Sequence, residues 1–573
     1  MLTSAPAVVA LGPIMDMEAK AMAISIRQKL SMLPAIALTL PIPALAQVEA
    51  DYGENDADGV RVGSVVVQPY IEAAQVLSAE LSPGSDVVTY TRLAAGVDAG
   101  VVGRNSAGSV SLRYERRIGY GDVSDGDSIT GIARGSVALV PRSLTFEAGA
   151  LASRARVEGG GATTIGGNSV DDSSTSQIYS VYAGPSLQSN VGDLQVTGAY
   201  QIGYTRVEAP DAIVTAPGDD PVDLFDDSIT HRANVRAGFA PNTVAPIGVG
   251  VGAGWNRQDV SNLDQRIDDR YVRADVTLPV SRTLALIGGV GYEDVEVSGR
   301  DAVRDGDGNP ILGPDGRLVT DSGSPRQIAY QTDGLIWDAG VMWRPSSRTA
   351  LQASVGRRYG STTYYGSLSY APNARTSVNV GVYDNLTGFG GTLIDNLANL
   401  PTEFQAFRNL LTGDLGGCVD SLEGGNCALG NLGSLRSTVF RNRGVTANIS
   451  RNTGRTSYGI AGGYDRRSYV AAAGTALANV DGILDENYWV GAYANHQLDT
   501  RSSLAGNAYV NWFDSGFNSD GGGMGYSASL AYSRQIIQGL SGTAAVGVDG
   551  VDRDEYLIDY SNASALVGLR YSF

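Results

Sequence analysis

The strongest constraint on the fold is an alternation of apolar and polar residues with a period of two, clearest in the last segment of the chain. One face of that segment is apolar or aromatic: Phe573, Tyr571, Leu569, Val567, Ala565 and Ala563. The other face is small, polar or charged, with Leu566 as the one exception: Ser572, Arg570, Gly568 and Ser564. This pattern is typical of a β-strand that crosses a membrane, although an ordinary edge strand can also show it.

The same alternation recurs in segments of ~10–15 residues, the length expected of strands that span a membrane. Clear examples are Val110–Tyr120, Leu284–Tyr292, Leu335–Arg344, Leu351–Arg358 and Leu504–Phe513. In the third of these, Trp337 and Trp343 lie at opposite ends of one apolar face, as two interfacial girdles would require. After residue 46 we find no run of ~18 apolar residues, so the sequence does not predict a membrane-spanning helix.

The connections between these segments alternate between short and long. Three short ones share a P-x-x-R-T turn: Pro279–Thr283, Pro345–Thr349 and Pro372–Thr376. Similar short turns are predicted at 103–108, 140–145, 189–193, 240–245, 452–456, 499–503 and 538–542. The long, acidic connections are near 156–175, 208–226, 297–331, 386–436 and 466–484.

Short turns at one end and long loops at the other favour an all-β fold, a transmembrane antiparallel up-and-down β-barrel. Counting the turns predicts roughly 22 strands, within a range of about 18–22, with short periplasmic turns and long extracellular loops. The predicted location is the outer membrane of a Gram-negative bacterium. A ring of this size is wider than its side chains can fill, so its lumen must hold water or inserted loops.

The N-terminal segment resembles an export signal. Arg27 and Lys29 precede the apolar stretch Leu30–Leu40, and Pro43–Ala46 supplies an A-x-A cleavage site. We therefore expect residues 22–46 to be a signal peptide and residues 1–21 an upstream extension. Residues 47–60 are then a periplasmic tail, and residues 61–573 form the barrel.

The formal net charge of −18 argues against nucleic acid as a partner. Neither histidine, His231 or His496, lies near a Ser/Asp arrangement that would single out a catalytic site, so the sequence predicts neither an enzyme nor a cofactor. Asp305–Asn309 resembles the start of a calcium loop, but Pro310 and Gly316 stand where the loop needs Gly and Glu. We expect a turn there and no metal.

The alternation also assigns a set of arginines to the inner face of the barrel: Arg113, Arg117, Arg232, Arg236, Arg273, Arg344, Arg358, Arg467 and Arg570. One interpretation is an arginine-lined pore for anionic solutes. The other is internal pairing with carboxylates of the same parity: Glu115, Asp275, Glu293, Asp338 and Asp465.

The connection 386–436 differs from the other loops. Four apolar residues within 392–400 have helical spacing: Leu393, Ile394, Leu397 and Leu400. Pro401 permits a second helical start, which would run through Phe404, Phe407 and Leu411. Such an apolar hairpin either folds into the lumen as a constriction or packs on the barrel rim as a cap. Cys418 and Cys427 are predicted to form a disulfide that stiffens its return.

Three segments, Gly59–Ile71, Arg92–Val97 and Tyr114–Arg117, resemble a family of outer-membrane β-barrel porins whose members often accompany exopolysaccharide export systems. Ser78–Glu80 stands where that family usually has Asp-Asn. The chain end also resembles the closing strand of bacterial outer-membrane barrels, which implies that Tyr571 and Phe573 form a signal for the barrel assembly machinery.

These observations lead to a pore for passive or gated passage of polar solutes as the expected function. The resemblance adds assistance to exopolysaccharide export. The expected partners are outer-membrane lipid, lipopolysaccharide, the assembly machinery and polysaccharide export components. One alternative is a plugged structural barrel that anchors surface polysaccharide or a surface layer. A more remote one is an outer-membrane hydrolase.

Overall fold

The computed structural model describes residues 64–121, 123–157, 163–164, 175–209, 221–420, 426–427, 432–517, 522–553 and 559–573. The chain consists of two units, Met1–Val60 and Arg61–Phe573, and all the described residues belong to the second unit. The predicted upstream extension, signal peptide and periplasmic tail therefore lie outside the described residues.

Within these ranges, 22 strands form one closed antiparallel ring. The first are β1 (Ser64–Ser82), β2 (Val87–Val102), β3 (Ser106–Gly119), β4 (Gly126–Val140) and β5 (Leu144–Val157). A two-residue strand, β6 (Thr163–Thr164), pairs with the end of β5. The ring continues with β7 (Thr175–Val191), β8 (Leu194–Glu208), β9 (Asp227–Phe239), β10 (Gly248–Val260), β11 (Gln265–Pro279), β12 (Leu284–Gly299), β13 (Gln327–Ser346), β14 (Thr349–Arg358), β15 (Ser361–Asn373) and β16 (Thr376–Thr387).

A loop segment then interrupts the ring. It contains helix α1 (Phe389–Ala398) and a separate small sheet of β17 (Gln405–Arg408), β18 (Leu415–Asp420) and β19 (Asn426–Cys427). The ring resumes with β20 (Phe440–Asn452), β21 (Thr456–Tyr469), β22 (Leu484–Gln497), β23 (Ser502–Ser515), β24 (Gly523–Ile537), β25 (Leu540–Arg553) and β26 (Tyr560–Ser572). Short 3₁₀ turns occupy Asn262–Asp264 and Ala478–Val480. β26 pairs with β1 from Tyr70↔Ser572 to Ser82↔Ser561, which closes the ring and confirms the predicted fold.

The closing strand has the two faces that its sequence predicted. Val567 and Phe573 are 70% and 71% exposed on the outside of the ring. On the inner face, Arg570 forms an ion pair with Asp98 at 3.1 Å. The exception, Leu566, is buried in a cluster that also contains Leu411 of the loop after β16. Its apolar side chain therefore packs against protein inside the ring and not against lipid.

The two ends of the ring differ as the sequence predicted. Among the described residues, ten short turns join strands at one end, and all of them fall at the positions expected from the sequence. β1 begins and β26 ends at that same end, which we call the periplasmic end. The strands that flank the long connections 209–226, 300–326 and 388–439 end and begin at the opposite, outer end.

Helix α1 lies inside the ring. It contacts β5, β7, β8 and β9. Its side chains Phe389, Leu393 and Leu397 share a buried cluster with Leu151 and Ile178 of the inner wall. Burial of this apolar face against apolar wall residues stabilises the helix inside the lumen, where a pore wall is usually polar. In the described part of the chain, no helix has the length and apolar character needed to cross a bilayer.

The predicted second helix is wrong. Phe404, Phe407 and Leu411 do not lie on a helix, because Gln405–Arg408 is extended and pairs with β18, from Gln405↔Asp420 to Arg408↔Leu415. The ring of Phe407 instead stacks on Tyr493 of β22 at 4.1 Å. The return of the loop supplies β18 as a partner strand, and β18 satisfies the backbone hydrogen bonds of Gln405–Arg408. This pairing outweighs the helical preference that the local spacing of apolar residues indicated.

Candidate functional site

Most of the nine predicted inner arginines are paired with carboxylates. Seven form ion pairs: Arg113, Arg232, Arg236, Arg273, Arg358, Arg467 and Arg570. The five carboxylates named from the sequence all take part: Glu115, Asp275, Glu293, Asp338 and Asp465. Of the other two arginines, Arg117 donates a hydrogen bond to the carbonyl of Ser124 at 3.2 Å, and Arg344 lines a lumen cavity. Most of these arginines therefore form ion pairs with carboxylates of the inner wall or of the inserted loop.

Four of these charges form a ladder across β9, β11 and β13. Arg236 lies 2.5 Å from Asp275, Arg273 lies 3.6 Å from the same carboxylate, and Arg273 lies 2.7 Å from Asp338. Arg236 donates two hydrogen bonds to Asp275, and Arg273 donates two to Asp338. Such bidentate pairs fix the planes of the side chains. The ladder therefore presents alternating charges that cancel along the wall.

Two glycines leave room for the arginines of this ladder to lie close to the barrel wall. A Cβ added at Gly250 would overlap the guanidinium of Arg236, and one added at Gly289 would overlap that of Arg273. Both arginines therefore lie over the backbone of a neighbouring strand and do not reach across the lumen. The absence of a side chain at these two positions leaves the space in front of the ladder open.

A cavity of about 850 Å³ lies in front of the ladder. Pro241 and Arg344 line it near the periplasmic turns, and Arg358 lines it toward the outer end. Gln352, Ser354 and Thr363 add uncharged polar groups to the lining. The cavity therefore extends along the β9–β16 side of the lumen and offers hydrogen-bonding groups over its length.

The tip of the β14–β15 hairpin bends into the lumen at the outer end of this cavity. Pairing of β14 with β13 ends at Trp337↔Arg357, and pairing of β15 with β16 ends at Gly366↔Val382. Between these points the tip turns through Tyr359, whose φ of 53° is in the left-handed region.

Contacts with β11 and β12 hold the tip in this position. Arg358 contacts Asp269 at 2.8 Å and Glu293 at 3.2 Å. The Tyr359 backbone N–H donates to Glu293 at 2.6 Å, and its hydroxyl donates to Asp269 at 3.1 Å. The predicted pore arginine Arg358 therefore helps to hold the hairpin tip across the outer end of the cavity.

The loop after β16 is anchored to the opposite wall by arginines. Arg232 of β9 forms an ion pair with Asp395 of α1. Arg92 of β2 donates to the carbonyl of Leu410 at 3.0 Å, and Arg154 of β5 contacts Asp414 at 2.9 Å. Because these anchors come from different strands, they fix the loop across part of the lumen.

The return of the loop is anchored as well. Arg467 is 1% exposed and donates to the carbonyls of Leu432 and Ser434 at 2.7 and 2.8 Å. Arg408, on the loop itself, donates to the carbonyls of Ser111 and Thr130, both at 3.1 Å. The predicted pore residue Arg467 therefore holds the loop.

Sequence reasoning did not select Arg92, Arg154 or Arg408. Arg92 has the same parity as the buried Tyr90 and Ala94, so the alternation of β2 could have identified it. Arg154 has no comparable signal. Its strand pairs with β4 only up to Gly131↔Ala152, and Arg154 lies just beyond that point, where it reaches Asp414.

The other predicted loop residues are placed as follows. Leu393, Ile394 and Leu397 are buried on α1, and Leu400 is buried just after it. The register sets Cys418 of β18 opposite Cys427 of β19. Their side chains lie outside those that the structure describes, so the disulfide stays a prediction. The predicted assembly residues Tyr571 and Phe573 lie on the outer face with ring centroids 5.1 Å apart.

Both histidines lie on the outward face of their strands. His231 is hydrogen-bonded to the hydroxyl of Tyr200 at 2.8 Å and stacks on Trp255 with 6.0 Å between centroids. His496 is hydrogen-bonded to Thr456 at 2.7 Å. Neither side chain lines the large cavity.

No family model matches the chain, and no curated protein matches it. Among solved structures, the FrpB iron transporter of Neisseria meningitidis in its apoprotein form shares 8% identity, with a TM-score of 0.41 over 88% of this chain and 81% of that one. The ferric-catecholate import receptor Fiu of E. coli K12 shares 11%, with 0.43 over 88% and 81%. The copper transporter OprC shares 13%, with 0.37 over 90% and 82%.

Likenesses at these identities and TM-scores carry no argument about what this chain binds. The architecture of the ring itself defines the fold. A closed ring of 22 strands, an apolar outer face and short turns opposite long loops are the features of an outer-membrane β-barrel.

Proposed function

We propose that this protein is a constricted outer-membrane pore for small polar solutes. The cavity of about 850 Å³ in front of the Arg236–Asp338 ladder is the observation that carries the proposal. It extends from residues near the periplasmic turns to the β14–β15 tip. Passage would follow this lining, and the loop would narrow the rest of the lumen.

The balanced ladder favours solutes that exchange hydrogen bonds with the wall. Its two arginines and two aspartates neutralise one another, so the wall offers both donors and acceptors without a strong field. The proposal includes no covalent step.

Planar-bilayer recordings test the pore. We would compare the wild type with a form in which residues 390–411 are replaced by a Gly/Ser linker. A matched control shortens the exposed outer turn at Gly306–Gly308, which is far along the chain from the loop. We expect the wild type and the control to conduct equally, and the linker form to conduct more.

A plugged structural barrel is the second candidate, and the anchoring of the loop by arginines of several strands favours it. The same recordings separate the two functions. If neither the wild type nor the linker form conducts, the pore proposal fails and the anchoring role is favoured.

We do not extend the proposal to exopolysaccharide export. The segments that carry the family resemblance lie at 59–71, 92–97 and 114–117, and none of their described residues, which begin at residue 64, lines the large cavity. Interactions with the assembly machinery and with export components remain predictions from the sequence.

A further inference from the structure

Two rows of side chains follow one another on the outer face between β16 and β23. In register, one row contains Val382, Val445, Tyr464, Tyr488 and Trp512. The row two residues nearer the outer end contains Asp384, Arg443, Arg466, Glu486 and Asp514. An apolar and aromatic row followed by a charged one, about 7 Å further along the strands, marks the boundary between acyl chains and headgroups.

The charged row sets two arginines against each other. Arg443 of β20 lies directly opposite Arg466 of β21, and their side chains are 40% and 46% exposed. Like charges in directly opposed positions destabilise a sheet. Two other outer-face pairs combine opposite charges, since Arg116 faces Asp127 and Arg270 faces Asp294, whereas Glu486 and Asp514 of the charged row are both acidic.

The nearby carboxylates are already engaged. Asp384 contacts Arg443 at 3.1 Å, but it also contacts Arg441 at 2.7 Å and is almost fully buried. Glu486 is 3.6 Å from Arg466 and accepts a hydrogen bond from Tyr464 at 2.8 Å. Neither carboxylate bridges the two opposed arginines.

The β14–β15 hairpin adds a further cation to this patch. Arg357 is exposed and lies opposite Thr362. The carbonyl of Thr362 accepts hydrogen bonds from Arg441 at 3.3 Å and from Arg443 at 3.1 Å. Counted together, Arg357, Arg441, Arg443 and Arg466 exceed the three carboxylates of the charged row by one positive charge, on a chain whose net charge is −18.

We propose that Arg443 and Arg466 bind the phosphate of an outer-leaflet glycolipid headgroup. Guanidinium groups match phosphate oxygens in a bidentate geometry, and one phosphate between the two arginines would relieve their repulsion. The acyl chains of the same lipid would then lie over the row from Val382 to Trp512. This inference does not depend on whether the barrel conducts.

The experiment measures lipid retention and thermal unfolding of the purified barrel in detergent. The probes are diphosphorylated lipid A, the same lipid without phosphates, and inorganic pyrophosphate. The variant is Arg443→Gln/Arg466→Gln, and the control is Arg270→Gln, an exposed outer-face arginine on β11. Heat-modifiable migration on gels shows that each variant is folded.

We expect the double variant to retain diphosphorylated lipid A about tenfold more weakly, because two charge-assisted contacts are lost, while Arg270→Gln behaves as wild type. Dephosphorylated lipid A should be retained weakly by every form. Equal retention by the double variant, or equal retention of the dephosphorylated lipid, would overturn the proposal. Stabilisation by pyrophosphate alone to the same extent as by lipid A would overturn the lipid assignment.

Discussion

Asp395 of the inserted helix is joined to Arg232 of the barrel wall, and this ion pair fixes α1 against β9. The two side chains are 22% and 33% exposed, so water screens their attraction only in part.

Asp395→Asn is therefore expected to loosen the helix and to lower the stability of the barrel by about 1–2 kcal/mol. Urea unfolding in micelles measures the stability, and single-channel recordings should show larger current fluctuations. Glu403→Gln is the matched control, because it removes an exposed carboxylate from the same loop. Identical effects of the two substitutions would show that the ion pair does not hold the helix.

Gly289→Ala tests whether the ladder must lie flat. The added methyl group overlaps the guanidinium of Arg273, so the side chain should move off the wall and away from Asp338. We expect lower conductance and a stability loss of about 1–2 kcal/mol. At Gly100 an added Cβ meets open space, so Gly100→Ala is the control. Unchanged conductance in Gly289→Ala would separate the ladder from the path of the solute.

Asp223 should make the packing of the outer loops depend on pH. Burial raises the pKa of its carboxyl, which accepts hydrogen bonds from the Leu318 backbone N–H at 3.1 Å and from the hydroxyl of Ser437. Because the folded pKa is raised, its contribution to stability is fully present below the unfolded pKa, and it is lost as pH rises through the folded pKa.

Hydrogen exchange at Leu318 and Ser437, corrected for intrinsic rates, measures this effect. Protection of these amides from exchange should be greater near pH 4 than near pH 7. The raised pKa of the Asp223 carboxyl is expected to lie between these two pH values. Asp223→Asn keeps the acceptor oxygen but cannot ionise, so it should remove the pH dependence. A pH dependence that survives in this variant would point to another group.

Leu566→Ser tests the exception in the closing strand. The substitution makes the inner face of β26 uniformly polar, which improves the pattern but removes a side chain that packs in the cluster with Leu411. We expect a loss of about 2–3 kcal/mol and faster proteolysis near Leu411. Val567→Ala, on the lipid-facing side of the same strand, is the control for loss of apolar volume. Equal proteolysis in both variants would show that Leu566 does not hold the loop.

The barrel itself could be predicted from the sequence because its signals are local. Alternation in each segment sets the faces of the strands, and turn motifs such as Pro345–Thr349 set the periplasmic end. The same alternation placed Arg236 and Arg273 on the inner wall. Their carboxylate partners are two strands away along the ring, and the glycines that flatten the arginines lie on the strands between, so the ladder follows only from the register.

The contents of the lumen could be predicted only in part. The helical spacing of Leu393, Ile394 and Leu397 identified α1, but the path of the rest of the loop could not be predicted. The spacing of Phe404, Phe407 and Leu411 suits a helix, but β18 provides a partner strand that no local pattern reveals. The inward bend of Tyr359 depends on acceptors in β11 and β12, about 65 to 90 residues earlier in the chain. Contacts at such separations are set by the register of the strands from β11 to β14.

The interrupted pairing beside the β14–β15 hairpin has a mechanical consequence. On the periplasmic side of Trp337 and Gly366, backbone hydrogen bonds join β13 to β16 without a gap, so the barrel wall is rigid there. On the outer side of these residues, the wall has a gap between β13 and β16. Swinging the tip outward would break the contacts of Arg358 and Tyr359 and the hydrogen bonds from Arg441 and Arg443 to Thr362, but no rung of the β13–β14 ladder. A change in the bore of the upper rim would therefore require side-chain contacts to break, but no backbone pairing of the β13–β14 ladder.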